Sequence, residues 1–314
     1  MTQPAIPATD NDTREYRAGV GYALAAFFFW GVAPIYFKWV QSVPAVEVLA
    51  HRIIWAVVFL LALIAVQRRW QELIAAIRTP GTVPMLMVSA SFITVNWGLF
   101  IYAIQQDDIL QTSLGYYINP LVNVLFGMLF FGERLRRLQW LAVVLAAGGT
   151  LVLALGADSV PWIALTLAVC FAFYGVIRKK VAVAAFSGLL IETTLLLPIA
   201  LGYLLWLGSQ NNGAFGTGWS ISLLLMLAGV VTTLPLLWFT SAAVRLPLSL
   251  LGFFQYIAPS VAFVLAVFVY DETFTMAHAA TFTCIWLAII LFSVDSWIAR
   301  KRALVWRDVE QRRT

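Results

Sequence analysis

The chain has 314 residues, 62% of them hydrophobic and only 11% charged, with a mean hydropathy of +0.88 and a formal net charge of +5. A soluble domain carries about 25% charged residues, so these side chains cannot clothe a water-facing exterior. Composition therefore excludes an ordinary soluble protein.

Residues 1–17 are polar, contain proline and mix both charges, and are expected to be a disordered N-terminal segment. No short apolar stretch with a small-residue cleavage site follows them, so a cleaved signal peptide is not expected. Apolar runs of the length that crosses a bilayer, about 20 residues, then fall at 18–38, 45–66, 82–104, 109–131, 138–156, 160–177, 188–208, 220–244, 248–270 and 275–298. The fold class read from them is an all-α integral membrane protein with ten transmembrane helices. Between the second and third runs, Trp70, Leu73, Ile74 and Ile77 have helical spacing among Arg68, Arg69 and Arg78, the pattern of a helix lying on the membrane surface. Residues 299–314 form a basic tail. Cys170 and Cys284 lie within spans, which excludes a disulfide framework and metal-site spacing.

Charge orients these spans. Alternate gaps hold Arg14 and Arg17; Arg68, Arg69 and Arg78; Arg134, Arg136 and Arg137; Arg178, Lys179 and Lys180; Arg245; and six residues from Arg300 to Arg313, 18 of the 20 Lys and Arg. The opposite gaps hold none. Short loops rich in Lys and Arg stay in the cytoplasm, which places both termini there. The net charge belongs to these loops and the tail, and topology with anionic lipid accounts for it, so no nucleic-acid partner is expected. Of the two remaining cations, Lys38 can snorkel to the outer interface, and Arg52 lies inside the second span.

The chain also repeats itself. Tyr117-Ile118-Asn119-Pro120, with an apolar run ending in Glu133, returns 139 residues later as Tyr256-Ile257-Ala258-Pro259 with a run ending in Glu272. Phe27 to Val32 resembles Phe171 to Val176 at an offset of 144, Glu47 matches Glu192 at 145, and Leu99-Phe100 matches Leu237-Trp238 at 138. These offsets describe a duplication of five spans, 18–156 and 160–298. Because five is odd, the second copy enters the membrane from the opposite side, and the halves are inverted.

Certain residues carry a further resemblance. Trp30-Gly31-x-x-Pro34-x-Tyr36-Phe37-Lys38, Glu47-x-Leu49-x-His51-Arg52, Asn96-Trp97, Gly115 to Asn123, Gly132-Glu133-Arg134 and Gly252 to Tyr256 resemble the RarD-type branch of the EamA group, in the drug/metabolite transporter superfamily. The resemblance runs from about residue 17 to 300. It implies two inverted five-helix repeats, a bacterial inner-membrane location and secondary transport of small molecules.

Physics ranks the candidate site residues. Pro120 and Pro259 sit near the centres of the fourth and ninth spans and are expected to kink them, either to line a substrate cavity or as ordinary membrane-helix kinks. Tyr116, Tyr117, Asn119 and Asn123 place a polar stripe through the first kink, with Gln255 and Tyr256 as counterparts, reading either as solute ligands or as glue between helices. Glu47 and His51, four residues apart, read as a proton-coupling pair, with Glu192 as the counterpart of Glu47. The alternative is that each glutamate is a first-turn anion favoured by the helix dipole. Arg52 either binds an anionic substrate group or neutralises Glu47 from the next turn. Trp30 and Tyr174 could stack on a substrate, with plain aromatic packing the alternative, and Asn96 is a pore-lining candidate. Asp295 is expected to pair with the basic tail, and Glu133 and Glu272 to be structural.

No phosphate-binding loop or nucleophile elbow is present, and no cofactor or metal is expected. The expected function is a secondary carrier for a small metabolite or drug-like solute working by alternating access, with proton exchange an open feature. A channel or a membrane-embedded enzyme is the alternative. The expected partners are the solute and the lipid bilayer, and a homodimer stays open as an assembly.

Overall fold

The computed structural model describes residues 10–105, 109–155, 162–269 and 276–311, which contain α-helices and no strand. In chain order these are α1 (Asp10–Trp39), α2 (Ala45–Gln67), α3 (Trp70–Arg78), α4 (Thr82–Gln105), α5 (Ile109–Phe131), α6 (Arg137–Ala154), α7 (Trp162–Val181), α8 (Ala185–Ser209), α9 (Trp219–Ala243), α10 (Leu248–Gln255), α11 (Ile257–Val269) and α12 (Met276–Gln311). Seven stretches among the described residues are long and apolar enough to cross a membrane: Thr13–Trp39, Ala45–Gln67, Thr82–Phe100, Trp162–Val181, Ala185–Ser209, Trp219–Ala243 and Ala279–Ala299. Three apolar helical stretches, Gly115–Phe131, Arg137–Val152 and Leu248–Val261, are shorter. They lie at the places of the fourth, fifth and ninth expected spans.

Local chemistry sets the helix ends. Pro44 and Pro247 precede α2 and α10 with φ of −53° and −55°, the angle the pyrrolidine ring imposes at no cost before a first turn. Gly132, directly after α5, adopts φ +63°, the left-handed turn that ends helices and favours glycine. Two boundaries differ from expectation. α1 begins at Asp10, so the last eight residues of the segment expected to be disordered are helical. α12 runs on through Gln311, so the basic tail continues the helix as far as the described residues go.

The short α3 confirms its amphipathic pattern. Leu73 and Ala76 are buried against the bundle, while Trp70, Ile74 and Ile77 are exposed.

Large apolar side chains cover much of the outside, while a set of polar side chains is buried. Phe28, Leu129, Ile199 and Leu205 are all more than half exposed, whereas Glu47, His51, Asn119, Asn123, Glu192, Thr233, Thr240 and Gln255 are buried. Water would favour the reverse, and lipid favours this arrangement.

The packing of helices follows a pattern. α1 lies against α9 and α11, and α7 lies against α4 and α5. α2 packs on α8 and α9, and α8 packs on α2 and α4, while α5 meets α10 and α6 meets α12. Small residues allow the closest approaches: a Cβ on Gly229 of α9 would fall on the backbone of Trp55 and Ala56 in α2.

Candidate functional site

The cavity sits between α2 and α4 on one side and α7, α8 and α9 on the other. Arg52, Trp97, Tyr174, Glu192, Thr193 and Thr233 bring polarity or aromatic surface to it, among apolar neighbours such as Ile53 and Leu236. Its volume is about 20 Å³, where one water needs about 10–15 Å³. Arg52 dominates it. The guanidinium carbon lies 3.0 Å from the centroid of the Trp97 ring, a cation–π contact that covers the face of the fork and leaves its edge free to donate. Arg52 forms no ion pair among the described residues, so it does not neutralise Glu47 from the next turn.

Glu192 faces the same cavity but its charge is committed. Its Oε1 lies 3.7 Å from Arg178 Nη1, and both side chains are almost wholly buried. Gly188 makes the pairing possible, because a Cβ there would collide with Arg178 Nη1. Two expectations are corrected here. α8 starts at Ala185, which puts Glu192 in its third turn rather than its first. Arg178, grouped with Lys179 and Lys180 as loop charge, belongs to the last turn of α7 and points inward. A signal existed in the apolar run leading directly into Arg178, but sequence does not reveal the direction of a terminal-turn side chain.

Glu47 and His51 come together as their spacing required, with Glu47 Oε1 and His51 Nε2 3.9 Å apart. Glu47 is also in the first turn of α2, so the contact with His51 and the place at the positive end of the helix are both present. A partner invisible in sequence joins them: the Ala214 N–H donates to Glu47 Oε1 at 2.6 Å. Phe215, the next residue of the α8–α9 loop, stacks on His51 with centroids 5.0 Å apart. The loop thus closes over the pair.

The polar stripe of α5 divides. Asn123 Nδ2 donates to Gln255 Oε1 at 2.7 Å and the Tyr256 hydroxyl donates to the Tyr117 carbonyl at 3.2 Å, both across the junction of α5 with the α10–α11 region. These four residues act as glue between helices in this conformation. Asn119 is buried, its Oδ1 without a donor. Tyr116 departs from the stripe. It is 46% exposed and packs edge-on against Phe100, because three residues turn a helix by less than a full circle and carry it round the edge of the buried face.

The two prolines also part company. Pro120 lies inside a continuous α5, whereas the ninth expected span breaks at Tyr256 and Pro259 falls in the first turn of α11. The break falls where Pro259 withholds its N–H from the Gln255 carbonyl four residues earlier.

Three further side chains are held by packing or hydrogen bonds to neighbouring helices. Trp30 and Tyr174 join a cluster with Phe171 and Phe239, with Trp30 centroids 5.9 Å from each phenylalanine and Tyr174 stacked on Phe239 at 6.0 Å. Tyr174 alone of the pair also reaches the cavity. Asn96 Nδ2 donates to the Leu167 carbonyl at 2.8 Å, tying α4 to α7.

At the end rich in Lys and Arg, Glu133 grips the start of α10. Its carboxylate accepts from the N–H groups of Leu248 and Ser249 at 2.6 and 2.9 Å and from the Ser249 hydroxyl at 2.5 Å, satisfying donors that a helix start leaves open. Lys179 Nζ donates to the carbonyls of Ala243 and Leu246 just before it. Asp295 pairs at 2.6 Å with Arg136 of the α5–α6 loop; its expected pairing with the tail falls on side chains outside the described ones. Glu272 lies outside the described residues. Among the described residues no three His, Cys, Asp or Glu side chains gather to hold a metal ion.

Comparison with known proteins places this architecture. The model of the EamA-like transporter family matches residues 17–155. A protein named RarD from Escherichia coli (strain K12) is 50% identical over 93% of this chain and 99% of its own. The chain belongs to the RarD-type EamA-like transporters. An uncharacterized transporter of Vibrio cholerae is 51% identical over 90% of this chain and 94% of its own, and a chloramphenicol-sensitive protein RarD of Pseudomonas aeruginosa is 33% identical over 91% and 97%. One solved crystal structure matches 88% of this chain and 98% of its own with a TM-score of 0.70 and 19% identity, a likeness of fold alone. With this family and its apolar exterior, the chain is a multi-pass membrane transporter.

Proposed function

We propose that the chain is a secondary transporter of the bacterial inner membrane that carries a small metabolite or drug-like solute by alternating access. In this reading ten helices span the bilayer as two inverted five-helix repeats, with both termini in the cytoplasm. The observation that carries it is the reciprocal packing around one cavity. Exchanging α1 with α7, α2 with α8, α4 with α9, α5 with α10–α11 and α6 with α12 turns each of the major contacts between halves into another. Such a pairing supports a two-fold axis, with the cavity beside it and walls from both halves.

The cavity's size supports movement. A space of about 20 Å³ admits no metabolite, so the halves must part on one side or the other to load one. Each side has a closure suited to that. Glu133 and Lys179 hold the α9–α10 junction at the basic end, and Glu47 holds the α8–α9 loop at the other. Protonating Glu47 would weaken its charge-assisted bond from Ala214, so proton exchange at Glu47 and His51 would be coupled to the release of that loop.

A panel of metabolites taken up by proteoliposomes under an imposed pH gradient tests this reading. Gradient-dependent flux of an unmodified solute is expected, reduced about tenfold or more in Glu47→Gln or His51→Ala. Flux of a solute with no response to the gradient would remove proton coupling and leave the carrier.

A further inference from the structure

The charges around the cavity do not balance. Arg178 and Glu192 cancel as a buried pair at 3.7 Å, while Arg52 faces the same space with no carboxylate partner among the described residues. Glu47, one turn earlier on α2, is occupied with Ala214 and His51. The cavity region thus carries one surplus positive charge on a fork whose face is covered by Trp97 and whose edge is open. A charge left unpaired at that depth is costly, and a planar guanidinium is the group best matched to a carboxylate. A second unused donor stands close by: the Tyr174 hydroxyl, on a side chain that lines the same cavity, is buried without a hydrogen-bond partner.

We infer that the transported solute is an organic monocarboxylate with an apolar body, its carboxylate held by Arg52 with the Tyr174 hydroxyl as a second donor. This rests on the carrier reading and adds the substrate class to it. One surplus cation matches one negative charge. A phosphate monoester brings about −1.5 to −2 at neutral pH and would leave the site negative. Apart from Glu192, Thr193 and Thr233, the remaining walls, among them Ile53, Ile93, Leu189 and Leu236, are apolar and suit a hydrocarbon or aromatic body. Trp97 acts as a positioning residue, since its ring fixes the plane of the guanidinium.

Thermal unfolding of the full-length protein in lipid nanodiscs tests this without requiring flux. The probes are benzoate and hexanoate, each against its amide (benzamide, hexanamide), with inorganic phosphate and chloride as anion controls. A ligand that binds the folded state raises Tm in a saturating way. The two carboxylates are expected to do so, and the amides, phosphate and chloride are not. Arg52→Gln should raise the half-saturating benzoate concentration by at least about tenfold, and Tyr174→Phe by a smaller factor. If Arg52→Gln does not fold, Arg52→Lys keeps the charge but loses the planar fork, and a weakening of at least about threefold is expected there. Equal shifts from carboxylates and amides, stronger shifts from phosphate, or an unchanged benzoate midpoint in the Arg52 variants would overturn the assignment. Counterflow of an uncharged solute would retain the carrier and sink the monocarboxylate. Carboxylate-dependent stabilisation with no flux of any solute would do the opposite.

Discussion

Arg178 and Glu192 set the strongest local constraint at the residue scale, because each makes the burial of the other tolerable. Replacing Glu192 by Gln leaves a guanidinium sealed in the bundle and is expected to cost about 3–5 kcal/mol. Changing both, to Met at 178 and Gln at 192, should recover most of that loss. Unfolding of the three proteins in the same detergent checks the order. The sequence marked Glu192 through its match to Glu47, yet could not supply its partner, since a cation that ends a helix can point either to the interface or to the core. Arg52 shows the converse case. Its place inside an apolar run identified it at once, and its direction, toward Trp97 and away from Glu47, depended on helix rotation that spacing alone left undetermined.

Helix ends and breaks belong to the next scale. Glu133 reaches α10 only because Gly132 turns the chain sharply after α5. Glu133→Gln should destabilise by about 1–2 kcal/mol, in the range of a lost helix cap, and Glu133→Ala by more, read as a shift in unfolding midpoint. The paired proline motif was legible as a repeat, but α5 runs on through Pro120 while the helix breaks one turn before Pro259. Pro120→Ala restores a backbone donor inside α5 and should change the distance between spin labels at its two ends. Pro259→Ala restores the donor to the Gln255 carbonyl and should likewise change the distance between labels on α10 and α11, since the break at Tyr256 lies where that bond is missing. Motif identity does not settle such a difference, which depends on what each helix packs against. Gly229→Ala should loosen the α2–α9 contact and cost about 1–3 kcal/mol, because its neighbours there are backbone rather than movable side chains.

Across the whole molecule, periodicity and charge were most informative. Helices lie at all ten places where apolar runs stood, and α3 occupies the short amphipathic stretch between the second and third. Arg245 with Glu15, Arg136 with Asp295 and Lys179 with Leu246 gather at one end, as the alternation of basic gaps required. What remained hidden was which polar groups serve packing and which serve the cavity, because both are buried amides, hydroxyls and charges at helical spacing. Asn96, Asn123 and Gln255 are spent on neighbouring helices, while Arg52 is not.

That division leads to the central claim, a carrier whose two halves alternate around the Arg52 cavity. Counterflow in proteoliposomes tests it most directly, with labelled benzoate outside and unlabelled benzoate inside at saturating concentration. Uptake should accelerate several-fold over empty vesicles and overshoot before decaying, because the loaded carrier returns faster than the empty one. Uptake that simply tracks the gradient, unchanged by solute on the far side, would describe a pore and contradict the account.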